Sequence, residues 1–400
     1  MMLRWYNVAS KNVFTCILTE CAWLRRRKKK LQSMTEHEEL EKIINSVKLI
    51  ANKLGLSPNE TEKLKQVAEI HPMRISPYYL SLIDWNDPND PIRKMAVPSL
   101  EELNLDGFYD TSGEAENTKM PGLQHKYAET ALILSTNRCA TYCRHCFRKR
   151  LVGLPTKEIL KRFEDAAEYI ENHTEINNVL VSGGDPLVLG NDIIETFLKS
   201  LTNIDHLSFI RFGSRTPVTL PSRFNDPELL ALFKKYSHMD KRLYVVTQFN
   251  HSREVTLQSV SAVNKILNAG VLMSNQTVLL KGVNDNPETL TTLMDELVRI
   301  GVAPYYVFQC RPVKRVKHYF QVPICKGVRI VEDAKAKCNG HSKRFKYIMS
   351  HKTGKIEILG IMNGEIYFKY HEAKDRKNLG MMFKRRVNEK AGWLDDFSTK

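Results

Sequence analysis

The chain has 400 residues, room for two or three domains, and its 42% hydrophobic content supports a packed core, which excludes a disordered or fibrous protein. Eight cysteines in that length are too sparse for a disulfide scaffold and exclude the small secreted class. The net charge of +15 is uneven: residues 1–33 hold eight Lys/Arg and one Glu and contribute +7, leaving +8 for the remainder.

Arg25–Lys30 is a run of six cations. Such a run can meet nucleic acid or a membrane surface; its simpler reading is a solvated, disordered extension, with Met34 a natural start. The preceding apolar stretch, Val13–Leu24, contains Glu20 and is too short to span a bilayer. Its cations follow the apolar stretch, the reverse of a secretory signal. Cys16 and Cys21 fall in this segment. From Thr35 to about Ile83 apolar residues recur at helical spacing, as in Leu40, Ile43, Ile44, Val47 and Ile50. Asp84–Pro98 is rich in Asp, Asn and Pro and reads as a loop.

The period then changes. Six short apolar runs, Ala131–Ser135, Asn178–Ser182, Ser208–Gly213, Leu243–Gln248, Leu272–Leu280 and Pro304–Cys310, are separated by helix-length segments. Strands alternating with helices give an α/β protein with a parallel sheet and right-handed crossovers. Six units suit an open, partial (β/α)6 barrel, whose sites gather at the carboxyl ends of the strands. The notable polar residues are expected there: the 139–146 cysteines, Gly183-Gly184-Asp185, Ser214-Arg215, Gln248, Gln276 and Arg311. After about Ile330 the character changes again. Asn363-Gly364 between two β-rich runs predicts a hairpin. Residues 371–400 are highly charged, and Trp393–Phe397 reads as a docking segment or a surface tail. The expected division is a basic extension at 1–33, a helical region at 34–125, the barrel at 126–330 and a C-terminal region at 331–400.

The most informative motif is Cys139-Ala-Thr-Tyr-Cys143-Arg-His-Cys146, a Cys-x3-Cys-x2-Cys run. Three thiolates on one loop can hold three irons of a cubane cluster and leave the fourth open to a ligand. A zinc site completed by His145 is the alternative. Cys310 ends an apolar run and reads as core, and neither Cys325 nor Cys338 shows metal-ligand spacing.

The cysteine run resembles the signature of the radical S-adenosylmethionine enzymes, which use an open barrel of this kind. More closely, the chain resembles the lysine 2,3-aminomutase family from about Ile83 to Lys355. The matching stretches are Tyr142–Arg150, Val181–Pro186, Phe212–Val218 and Asn275–Asp285, in that order. The resemblance implies a [4Fe-4S] cluster on Cys139, Cys143 and Cys146, with the open iron chelating S-adenosylmethionine. Ser182, Gly183, Gly184 and Asp185 would meet that cofactor's amino group, the glycines letting backbone approach a ligand. Gln248 and Gln276 would touch its adenosyl or methionine parts, although the family often has His at the first of these positions.

The same resemblance implies pyridoxal 5'-phosphate held on a lysine as a Schiff base. Lys355, which follows Gly354 and opens a strand, is the candidate; Lys352 and Lys346 are the rivals. Lys126 and Tyr127 correspond to an Arg-Tyr pair at the cofactor's phosphate and ring, and Thr130 stands where the family has a further arginine. Arg148 matches the arginine that grips the substrate carboxylate. Arg311 follows Gln309-Cys310 where the lysine-specific enzyme has an acid, and Ser350 stands near where it has a second. Both changes favour an acidic substrate, most simply glutamate, unless Arg311 points away or pairs with a local Glu. Asn286 occupies a family zinc-ligand position and no cysteine follows Cys338, so no zinc is expected.

The expected function is therefore an isomerase performing a 2,3-amino shift on an acidic amino acid, L-glutamate to β-glutamate. The alternatives are lysine 2,3-aminomutase, a radical S-adenosylmethionine enzyme of the family without pyridoxal phosphate, and a non-enzymatic iron–sulfur or redox-sensing protein. The implied partners are an amino-acid substrate, a reducing donor such as flavodoxin or ferredoxin, and further copies of the chain. The expected compartment is the cytoplasm, with no membrane or nucleic-acid partner.

Overall fold

A computed structural model describes residues 43–237 and 240–397. The expectations for the basic extension, its two cysteines and the first turn of the helical region lie outside the described residues. Twelve strands form one sheet whose spatial order is the chain order. They are β1 (Thr118–Met120), β2 (Leu123–Tyr127), β3 (Thr130–Thr136), β4 (Asn178–Gly183), β5 (Phe209–Gly213), β6 (Arg242–Thr247), β7 (Leu272–Leu279), β8 (Ala303–Gln309), β9 (Lys346–His351), β10 (Gly354–Met362), β11 (Glu365–Ala373) and β12 (Met382–Arg386). Strands β3 to β9 pair in parallel, flanked by antiparallel β1–β2 on one side and β10–β12 on the other.

A helix follows each parallel strand before the next: Phe163–Glu171, Asn191–Thr202, Pro227–Tyr236, Leu257–Asn268, Pro287–Arg299 and Ile324–Lys337. Their apolar faces pack on strands whose residues are largely buried, the pattern of a sheet covered by crossovers. Local chemistry fixes the helix starts. Asp226 and Asn286 cap helices that carry proline at the first position. Asn286 accepts a bond from Thr289 N at 2.8 Å, so the residue at the family's zinc position has a capping role.

The six runs read from sequence are β3 to β8. The seventh parallel strand, β9, is an addition: its first residue is Lys346 and basic residues precede it, but its interior is buried. The hairpin forms as expected, with Met362 opposite Glu365 and both Asn363 and Gly364 at positive φ, 52° and 75°. The 84–98 stretch contains a short helix, Pro91–Ala96, nucleated by Asp90 as cap and Pro91 at its first position. Trp393 and Phe397 bury in the main core, and Gln309 Nε2 donates to Gly392 O at 2.9 Å. That segment therefore docks on its own barrel. One core runs from Ile50 to Phe397, and the expected boundaries at 126 and 331 fall inside β2 and inside the helix Ile324–Lys337. Among the described residues no helix is long and apolar enough to cross a membrane.

Candidate active site

One cavity is lined by residues from β2 through β10, so the sheet curls around it without closing. Its lining includes every residue singled out above as a cluster, cofactor or substrate candidate except the rival lysines Lys346 and Lys352.

Cys139, Cys143 and Cys146 lie on the loop after β3 and all three face the cavity as free thiols. Burial pushes the Cys146 thiol up to about 11 and Cys139 well above its ordinary value. A metal would have to displace those protons. Arg215, just beyond β5, donates from Nη1 to Cys143 Sγ at 2.8 Å. Arg215 is itself held by Glu254 and by Tyr79 Oη at 2.9 Å. His145 is buried, with Gln248 Nε2 at 3.0 Å and Asn250 Nδ2 at 3.3 Å from its Nε2. Among the described residues no three His, Cys, Asp or Glu side chains converge as they would on a single ion.

The helical region before the sheet braces this loop. Tyr142 N and Arg144 N each donate at 2.8 Å, to Arg74 O and Met95 O. Arg144 forks onto Glu102 at 2.8 and 2.6 Å, and Lys149 Nζ reaches the same carboxylate at 2.6 Å. Burial works to raise the pKa of Glu102, but the two cations overcome it and hold it at about 2.

Gly183 ends β4 and Gly184 follows it, and the structure adds a second reason for glycine at both positions. A Cβ on Gly183 would lie 2.4 Å from Thr136 O, and one on Gly184 would lie 2.3 Å from Arg138 O. Gly183 also has φ +117°. The glycines are required by close approach to the backbone that enters the cluster loop, whatever else they meet. Asp185 accepts from Ser214 Oγ at 2.6 Å and from Arg215 N at 2.7 Å, tying the ends of β4 and β5 together. Gln248 lies just past β6. Gln276, expected at a strand end, is instead in the middle of β7, where alternation turns it into the cavity.

At the other side of the cavity, Lys355 is the second residue of β10. Its Nζ donates to Glu372 Oε2 at 2.7 Å and stands 5.2 Å from the Tyr127 ring. Burial lowers its pKa, with the Glu372 carboxylate opposing. Its rivals lie elsewhere: Lys352 is 62% exposed beside Asp395, and Lys346 pairs with Glu357. Lys126 Nζ donates to His351 O at 2.7 Å and Ser112 O at 3.1 Å. Burial, reinforced by Arg311 and Lys355, lowers Lys126 to about 7.

Arg148 and Arg311 both lie against the Phe147 ring, at 4.7 and 4.2 Å. Arg148 donates to Glu114 Oε1 at 3.2 Å and Ser182 Oγ at 3.1 Å. Arg311 lines the cavity and forms no ion pair among the described residues. It donates to Ser112 Oγ at 2.8 Å and Ser350 Oγ at 3.0 Å, and burial lowers it to about 10. Glu114, also held by Arg150, is kept at about 2 by these arginines against the upward pull of burial. Six Lys/Arg line the cavity against two carboxylates, Glu114 and Asp185.

Several of these residues carry no local sequence signal. Glu102, Glu114, Arg211, Glu254 and Glu372 sit in unremarkable contexts, and only the fold brings them to the site. Arg215 stood in a motif that pointed here, Phe212–Val218, and Arg144, Lys149 and Arg150 stood in another, Tyr142–Arg150.

Residues 133–294 match the family model described as Radical SAM superfamily. The chain is 46% identical over 343 residues to "Putative L-lysine 2,3-aminomutase" of Aquifex aeolicus (strain VF5), a match covering 85% of this chain and 91% of that one. It is 39% identical over 301 residues to L-lysine 2,3-aminomutase of Clostridium subterminale, covering 74% and 71%. It is 37% identical over 320 residues to glutamate 2,3-aminomutase of Clostridioides difficile (strain 630), covering 77% and 74%.

Proposed function

The chain belongs to the lysine 2,3-aminomutase family of radical S-adenosylmethionine enzymes, and from that premise we propose that it is a pyridoxal phosphate-dependent 2,3-aminomutase acting on an acidic amino acid, L-glutamate to β-glutamate. When bound, the [4Fe-4S] cluster with S-adenosylmethionine supplies a carbon-centred radical, and pyridoxal phosphate supplies a π system that accommodates radical character beside the migrating nitrogen. The residues fit both groups. Three thiols face one cavity, and the Arg215 guanidinium donates to the sulfur of Cys143. Lys355, with its pKa lowered and its amine beside Tyr127, is suited to hold an aldehyde cofactor. In this reading Ser182, Gly183, Gly184, Asp185, Gln248 and Gln276 border S-adenosylmethionine, and Lys126 and Tyr127 border pyridoxal phosphate.

The names of the relatives divide between lysine and glutamate, so the choice of substrate rests on the pocket. The observation that carries it is Arg311. Its guanidinium lies in the cavity beside Arg148, oriented by two serine hydroxyls and paired with no carboxylate among the described residues. Two guanidinium groups suit two carboxylates. A lysine substrate would need a free acid for its far ammonium. Both lining carboxylates are committed, Glu114 to Arg148 and Arg150, Asp185 to Ser214 and the Arg215 amide.

The test is turnover by anaerobically reconstituted enzyme of glutamate against lysine. Removing one partner of a desolvated charge-assisted contact costs roughly 2–5 kcal/mol. Arg311→Ala should therefore lower kcat/KM for glutamate by about 30-fold or more. Efficient wild-type turnover of lysine with none of glutamate would overturn the substrate reading and leave the aminomutase assignment standing.

A further inference from the structure

Arg211 has no place in the reading above, yet its surroundings point to a ligand. It lies on β5 and lines the same cavity as Lys355. Its Nη2 donates to Asn178 Oδ1, at the first residue of β4. Asn178 is fixed in turn by Glu129 O, at 2.9 Å from its Nδ2, and by Thr130 Oγ1 at 3.1 Å. Arg211 Nε, by contrast, is buried without a hydrogen-bond partner among the described residues. No carboxylate forms an ion pair with this arginine among the described residues; the Phe209 ring lies 5.7 Å away, and the Glu372 carboxylate, already paired with Lys355, acts on its charge from farther off. A guanidinium withdrawn from water needs an anion, and a buried donor left unmatched costs free energy. Here one edge is held by an amide oxygen, while another donor is unmatched.

We propose that Arg211 is a phosphate anchor: its guanidinium, oriented by Asn178, binds the phosphate of the pyridoxal phosphate carried on Lys355. The inference rests on the proposed function, because it takes that cofactor as the ligand. Its charge is felt at Lys355, where it helps lower the amine's pKa, so the two groups share one corner of the cavity. A planar fork of donors matches phosphate geometry. Arg148 and Arg311 lie together against Phe147 and are oriented toward substrate carboxylates in the reading above, which leaves Arg211 for a different anion.

The experiment compares binding of pyridoxal phosphate with binding of pyridoxal, which has the aldehyde and no phosphate, by absorbance titration of the full chain. Wild-type protein should prefer pyridoxal phosphate strongly. Arg211→Met should weaken pyridoxal phosphate by about tenfold or more, the effect of losing one charge-assisted contact, while leaving pyridoxal unchanged. Arg211→Lys should recover part of the preference. Retained pyridoxal affinity shows that the variant is folded. An unchanged ratio in a variant that still binds pyridoxal overturns the inference alone. Should Arg211→Met bind neither compound, Arg211→Lys decides by the same ratio. A change only in KM for glutamate would place the anion on the substrate and also overturn it. Wild-type protein that binds no pyridoxal phosphate would sink the proposed function itself.

Discussion

Individual side chains divide by whether their partner is near in sequence. The cysteine run was legible because its three members lie within eight residues and its chemistry is rare. Replacing Cys143 by Ala should leave two thiols, too few for a site-differentiated cubane. Iron content after anaerobic reconstitution should fall to background, and 5'-deoxyadenosine formation should stop; a normal yield of deoxyadenosine would refute the cluster assignment. Glu102 and Glu114 were not legible. Each has another acid close by in sequence, Glu101 beside Glu102 and Glu116 two after Glu114, and such residues are usually solvated. Their partners lie 42 and 34 residues away, and their burial follows from packing no local pattern encodes. The glycines were legible as important, but their close approach to Thr136 and Arg138 was not, because it depends on the pairing of β3 with β4.

Among the strands, alternation and turn chemistry carried most of the information. The parallel strands β3 to β8 and the Asn363-Gly364 turn followed from apolar runs and a two-residue turn signal, whereas β9 was hidden by its basic surroundings. The pairing of β10 with β11 has a chemical result, because its register places Lys355 opposite Glu372. That carboxylate favours the protonated amine, while attachment of an aldehyde requires the neutral one. Removing it should let burial lower the Lys355 pKa further, making neutral amine available at lower pH. In Glu372→Gln the pH midpoint of cofactor attachment should therefore move down by about one unit or more. Borohydride reduction at each pH, followed by peptide mapping, measures it. An adduct on Lys352 or Lys346 would show that Lys355 was the wrong lysine, and an upward shift would refute the role given to Glu372.

At the scale of the molecule, the helical region and the barrel are joined by a buried ionic cluster. Glu102 answers both Arg144 and Lys149, so Glu102→Gln strands two cations away from water. Breaking a buried pair in this way costs about 3–5 kcal/mol. The folded pKa of Glu102, about 2, lies below its ordinary 4.5. The carboxylate therefore contributes its full stability above pH 4.5 and loses it as pH falls toward 2, an effect of about 3 kcal/mol at 1.36 kcal/mol per unit. Thermal melting should show Glu102→Gln well below wild type at pH 7, with the gap narrowing below pH 4.5. A gap independent of pH would mean that Glu102 acts through packing alone.

The sequential order of the strands has a consequence for biosynthesis. A chain leaving the ribosome can add each strand to the one made just before it, so within the sheet no strand waits for a later one to separate it from its neighbour. Cys146 is made more than two hundred residues before Lys355. The residues that would generate a radical, through Gln276, are thus all made while the lysine that would hold the cofactor is still unmade. Any product that stops short of β10 keeps the three thiols and lacks the lysine.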